Sequence, residues 1–174
     1  LEPVSPDELA KSTAALMHRT LGGGINLCVD LAKDAPYVLV DRVEVERALV
    51  NLITNARDAM PRGGLIRVCT RIEADAETRW VIFAVEDEGC GVSEANLPLL
   101  FEPFFTTRNE QGGNGLGLAT VWAIAEQHGG TVRVQTRLGG GSTFELVVPA
   151  ADMALLHSMG EEARIPATAP QSPS

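Results

Sequence analysis

Asn51, Asn55 and Asp58 recur at helical spacing. At about 100° per residue they fall within roughly 60° of one another, beside the apolar arc of Val45, Leu49, Leu52, Ile53 and Ala56. Asparagine is a mediocre helix former, so two of them one turn apart carry a cost that a solvated Glu or Lys would avoid. Their amide oxygens are hard ligands suited to Mg²⁺, which fills its octahedron with water and substrate phosphates. Taken alone, the stripe reads more readily as an ordinary wet helix face.

A second group, Glu86-Asp87-Glu88-Gly89-Cys90-Gly91, directly follows an apolar run. A carboxylate at a strand end accepts a hydrogen bond from an exocyclic amine, and Gly89 and Gly91 let a planar ring approach the backbone closely. A plain turn has the same composition. A third group, Gly113-Asn114-Gly115-Leu116-Gly117-Leu118, runs into a predicted helix. Exposed N–H groups and the positive end of a helix make a cradle for polyphosphate. The loop before it, Phe101-Glu102-Pro103-Phe104-Phe105-Thr106-Thr107-Arg108, puts three of the five phenylalanines ahead of hydroxyls and a cation. A hinged lid with an aromatic anchor has this make-up, and so does a packed core.

Certain chemistries are set aside by composition. There are 23 acidic and 14 basic residues, a net charge of -9 that would repel the phosphates of duplex nucleic acid. Cys28, Cys69 and Cys90 lie far apart, with no CxxC or Cys/His ligand spacing, and read as reduced thiols of a cytoplasmic protein. His18, His128 and His157 are equally scattered, so no metal held by side chains alone is expected. No apolar run approaches the roughly 20 residues of a membrane span, and no membrane contact is expected. The chain opens on Leu1 with no basic-then-apolar leader, and is expected to be part of a longer protein.

The elements that must hold these groups follow from caps and periodicity. Ser5-Pro6-Asp7-Glu8 predicts a helix over 6–20, ended by Gly22-Gly23-Gly24. Extended stretches are predicted over 25–31 and 37–40, with a turn at 33–36. Asp41 and Glu44 form a capping box for a second helix, which carries the Asn stripe and stops at Pro61-Arg62-Gly63-Gly64. Strands follow over 65–72 and 80–85, then a short helix from Ser93 through 100, and a helix over 118–127 closed by His128-Gly129-Gly130. His128 reads as a residue beside the helix dipole. A hairpin over 131–137 and 142–148 turns at Gly139-Gly140-Gly141. An amphipathic patch at 153–159 and a Pro/Ala/Ser-rich linker at 165–174 complete the chain. Strands in pairs joined by short turns predict an α+β two-layer sandwich, a mostly antiparallel sheet with helices on one face.

In order and spacing, the four groups resemble the N, G1, F and G2 boxes of the catalytic ATP-binding domain of bacterial sensor histidine kinases, a Bergerat-type (GHKL) fold shared with gyrase, Hsp90 and MutL ATPases. The matching segments are 51–59, 87–91, 101–107 and 113–118, and the likeness covers residues 25–149. It implies ATP and Mg²⁺ as ligands. Asn55 would hold the metal with Asn51 assisting, and Asp58 would lie beside them. Asp87 would bind the adenine amine in a pocket shaped by Gly89 and Gly91. Phe104, Thr107 and Arg108 would line the lid, with Arg108 at the terminal phosphates. Gly113, Gly115 and Gly117 would close over the phosphate chain with Asn114 and Leu116 between them, Asn114 standing where Thr or Ser is commoner. In hydrolytic relatives a glutamate four residues before the metal-binding Asn polarises water; here that position is Asn51, and an amide cannot accept the proton. The resemblance therefore implies a kinase, with residues 1–20 as entry helix, 21–150 as the ATP-binding domain and 151–174 as an extension. Its partners would be a dimerisation and phosphoacceptor helical domain of the same protein and a response-regulator receiver domain. His18 lacks the acidic follower of a phosphoacceptor. The isolated piece would be a monomer and the full-length protein a homodimer. A serine protein kinase of the anti-sigma-factor type, and a non-catalytic nucleotide-sensing module, share the pocket and remain alternatives.

Overall fold

The computed structural model describes residues 1–107, 115–152, 154 and 156–158. The predicted patch at 153–159 lies largely outside them and the linker at 165–174 wholly so. The elements are β1 (Glu2–Val4), α1 (Pro6–His18), β2 (Ile25–Asp30), β3 (Val38–Val40), α2 (Arg42–Asp58), β4 (Gly64–Ala74), β5 (Arg79–Asp87), α3 (Gly117–Gln127), β6 (Thr131–Thr136) and β7 (Ser142–Pro149), with a 3-10 turn at Leu97–Leu99. A mixed five-stranded sheet has the order β2-β4-β5-β7-β6, antiparallel except where β2 runs parallel to β4.

The alternation of β4, β5 and β7 sends Ile66, Val68, Val81, Phe83, Val85, Leu146 and Val148 to one face, where they meet the apolar arcs of α1, α2 and α3 in a single core. All three helices share that face, as the sequence predicts. On the opposite face, Cys69, Ile82, Ala84 and Val147 are buried with no helix above them among the described residues. Long charged side chains cover them. Arg67 and Arg71 pair with Glu86, Arg71 and Arg133 with Glu145, and Arg133 with Glu73. Glu145 is only 4% exposed beneath its two arginines, and the aliphatic stems of the arginines take the place of a second layer.

Several expectations need correction. The stretch 25–31 does not form a hairpin with 37–40. Lys33 and Asp34 both adopt left-handed backbone, φ 56° and 59°, and the buried Thr70 hydroxyl holds the Ala32 amide at 2.8 Å. The chain leaves the sheet there, and α2 serves as the crossover that parallel β2 and β4 require. β3 instead joins β1, a strand the sequence did not announce, and Val38 also bridges Ala150 on its other side. The first helix ends at His18 and not at 20, where the Thr20 amide turns back to Met17. The predicted helix from Ser93 shrinks to the 3-10 turn, since Pro98 has no N–H to continue it; Asn96 and Leu97 donate to the Ser93 carbonyl, not to its hydroxyl.

Candidate functional site

α2 begins at Asp41, whose Oδ1 accepts from the Val43 and Glu44 amides at 3.0 and 3.2 Å. Along the second half of the helix its polar stripe stands over the ends of β5 and β7. The cavity between them has a volume of about 710 Å³, within the range of small-molecule sites. Asn51, Asn55 and Asp58 line one wall with Thr54 and Arg57, and Asp87 and Gly91 line another. Thr107, Gly115 and Gly117 line a third side, while Val92, Leu100, Phe105, Leu118 and Phe144 supply apolar lining.

The Asn stripe meets the start of α3. A Cβ built on Gly117 would lie 3.8 Å from Asn51 Oδ1 and 3.9 Å from Asn55 Oδ1, so both amide oxygens converge on the N-terminal end of α3. Two hard neutral donors beside a helix N-terminus suit a hydrated Mg²⁺ bridging to phosphate. Asp58, further along, receives Arg57 Nε at 3.0 Å and its Nη2 at 2.9 Å. Among the described residues no group of three or more His, Cys, Asp or Glu could hold a metal.

At the other end, Asp87 terminates β5 and its Oδ1 accepts from the Gly89 amide at 2.8 Å. The loop after it is gripped by backbone. A Cβ on Gly89 would lie 2.6 Å from Ala59 Cβ, and one on Gly91, at φ +68°, would lie 2.0 Å from the Arg137 carbonyl oxygen. The grip comes from the β6–β7 turn, where Gly139 donates to Cys90 O at 2.7 Å and Gly141 to Gly89 O at 3.0 Å. Ser142, paired with Asp87 across β5 and β7, is buried and shares a 2.8 Å hydrogen bond with Thr136, whose hydroxyl also receives the Val92 amide at 2.9 Å. From the sequence, 139–141 reads as a plain turn, and Thr136 and Ser142 carry no signal of their own. Three glycines where a hairpin needs one or two were the available signal.

The lid residues divide. Phe104 is 74% exposed, adopts φ 66°, donates its amide to Gly115 O at 3.1 Å, and is not among the residues lining the cavity; its neighbour Phe105 is. Leu116 is also outside the lining, at the N-cap of α3. Arg108, Gly113 and Asn114 lie outside the described residues. A second, shallower cleft of about 400 Å³ opens on the charged face of the sheet and shares Asp87 and Ser142 as a common wall. The larger cavity is the candidate, because the amide stripe, the helix N-terminus and the apolar lining all open into it and not into the other.

Residues 40–152 match the family model described as histidine kinase-, DNA gyrase B- and HSP90-like ATPase. Sensor kinase CckA of Brucella abortus is 41% identical over 145 residues, 77% of this chain and 15% of that protein. Among solved structures, the mycobacterial sensor histidine kinase MprB superposes with a TM-score of 0.71 at 28% identity, over 87% of this chain and 99% of that one. Full-length ShkA in complex with AMPPNP gives a TM-score of 0.73 at 29% identity, over 87% of this chain and 32% of that one. The chain thus spans a small part of the length of the full-length proteins it resembles.

Proposed function

The chain belongs to the family of histidine kinase-, DNA gyrase B- and HSP90-like ATPases, and on that premise we propose that it binds Mg-ATP and donates the γ-phosphoryl group to a histidine on a separate helical domain of a sensor kinase. The observation that carries this reading is the convergence of the Asn51 and Asn55 amide oxygens on Gly117, in a cavity that also takes in Asp87. Asp87 accepts the adenine amine, and the clamp of the β6–β7 turn keeps its loop from shifting. Val92, Leu100, Phe105 and Phe144 exclude water from the ring. Asn55, assisted by Asn51, would hold Mg²⁺, which when bound neutralises charge along the phosphates. The N-terminal amides of α3 add fixed partial positive charge at the same place.

Position 51 holds an amide, so the stripe offers no base there to strip a proton from water, and the phosphoryl group is kept for another nucleophile. His18 ends α1 and does not line the cavity, which fits a nucleophile supplied by another domain. In this reading residues 1–20 are the entry, 21–150 the nucleotide-binding unit and 151–174 an extension. The whole protein would be a homodimer in the cytoplasm that passes the phosphoryl group to a receiver domain.

Binding of ATP with and without Mg²⁺, followed by transfer to the protein's own phosphoacceptor domain, tests the assignment. Asp87→Asn turns a donor toward the adenine amine and should weaken nucleotide binding about tenfold or more, with or without magnesium. Asn55→Ala should bind adenosine nearly unchanged yet lose both magnesium dependence and transfer. Full transfer by Asn55→Ala, or ATP affinity insensitive to Asp87→Asn, would overturn it.

A further inference from the structure

The ring of His128 is 9% exposed and both of its nitrogens are engaged. Nε2 lies 3.0 Å from the Asp41 backbone nitrogen, and Nδ1 lies 2.7 Å from the Ile124 carbonyl oxygen. An amide N–H can only donate, so Nε2 accepts, and the neutral ring carries its proton on Nδ1 and donates it to Ile124. One bond stays within α3, and the other crosses to the residue that caps α2.

The end of α3 is itself fixed. Gly129 donates to Glu126 O at 3.0 Å and Gly130 to Ala125 O at 2.9 Å, a Schellman closure with Gly129 at φ +68°. A Cβ on Gly130 would lie 1.9 Å from the Val147 carbonyl oxygen, so the closure is pressed onto β7. α2 and α3 pack side by side and run in opposite directions: the start of α2 meets the end of α3 at His128, and its later turns meet the start of α3 at Gly117. The two meeting points are about 16 Å apart along α3 at ~1.5 Å per residue. Apolar packing between the helices resists separation but is non-directional. A directional bond at one end sets the axial register of the whole pair.

We propose that His128 is a positioning residue: its ring locks the far end of the α2–α3 pair and thereby fixes where Gly117 stands relative to the amide oxygens of Asn51 and Asn55. Its bearing on nucleotide rests on the reading of that cavity given above, whereas the mechanical part does not.

The test uses the whole chain and two substitutions. His128→Gln keeps an acceptor near the Nε2 position, facing Asp41. His128→Asn reaches only as far as Nδ1, keeps the bond to Ile124 and leaves the Asp41 amide facing nothing. Amide hydrogen exchange without nucleotide should quicken about tenfold in His128→Asn, both at residues 41–45 and at 120–123 in the first turns of α3, and stay near wild type in His128→Gln. Unchanged exchange at 120–123 in His128→Asn, or equal acceleration in both variants, overturns the proposal; the second result would mark His128 as mere packing. Mg-ATP binding should then weaken about tenfold in His128→Asn and less than about twofold in His128→Gln. Should the wild type bind no Mg-ATP, the assignment of the cavity fails, while the exchange data still decide the role of His128.

Discussion

Asp87 owes its place to its neighbours' lack of side chains. Backbone approaches on both sides, at Gly91 against Arg137 and at Gly141 against Asp87 itself, would each be blocked by a single methyl group, which would sit about 2 Å from a carbonyl oxygen. Cys90 lies within the same loop, exposed and lining the candidate cavity, whereas Cys69 is buried under the charged face of the sheet. Burial, reinforced by the Glu86 carboxylate, pushes the Cys69 thiol up to about 11. Only the thiolate attacks an alkylating agent. Iodoacetamide at pH 8, followed by mass mapping, should therefore label Cys90 first, with ATP slowing it, and leave Cys69 untouched until the fold is lost or the pH nears 11. Labelling of Cys69 at the rate of Cys90 in folded protein would refute this.

α2 carries the heaviest demand of any element, since it caps on Asp41, buries an apolar arc and presents the amide stripe. Asp41→Ala removes acceptors from two amides and should cost ~1 kcal/mol, a drop of about 2–4 °C in Tm for a domain of this size. It retains the backbone N–H that faces His128, so nucleotide affinity should hold; calorimetric melting beside a binding isotherm checks both. The helix, its cap and its stripe were all legible beforehand, because capping and 3.6-residue periodicity are local signals. So were strands β4 to β7, through their apolar patterning, the acidic turn between β4 and β5 and the glycine turn between β6 and β7. What stayed hidden was non-local. The partner of β2 depends on two left-handed residues, Lys33 and Asp34, neither of which is a glycine. β1 is three residues long and exists only because Val4 finds Val38. His128 does cap the end of α3 as its Gly-Gly followers predict, but its bond to Asp41 joins positions 87 residues apart in sequence and leaves no local signal. Along 101–107, periodicity has no say over which of two adjacent phenylalanines turns inward, and it is Phe105 that lines the cavity.

The molecule as a whole is one layer of helices on a sheet whose other side is roofed by ion pairs. Among the described residues, that roof covers the small apolar cluster of Cys69, Ile82, Ala84 and Val147. The helices and the inner face share one core, to which Val4 of β1 also belongs. Deleting residues 1–4 removes a buried valine, worth ~1.5–3 kcal/mol on folding, along with the pairing of β3. The shortened chain should melt several degrees lower yet in one transition, with far-UV dichroism and tryptophan fluorescence coincident. A separate early melting of α1 would contradict a single core.

The row Val4, Val38, Ala150 has a further bearing on what the domain can be joined to. Glu2 lies opposite Val40 on one flank of β3, and Ala151 donates to Tyr37 O at 2.7 Å on the other. From strand spacing and rise, the two points are within roughly 15 Å of each other. Polypeptide tethered at either point shares a common root, so two modules so tethered by short flexible linkers would meet at millimolar local concentration. Force applied to one tether would reach the other through a ribbon three residues long.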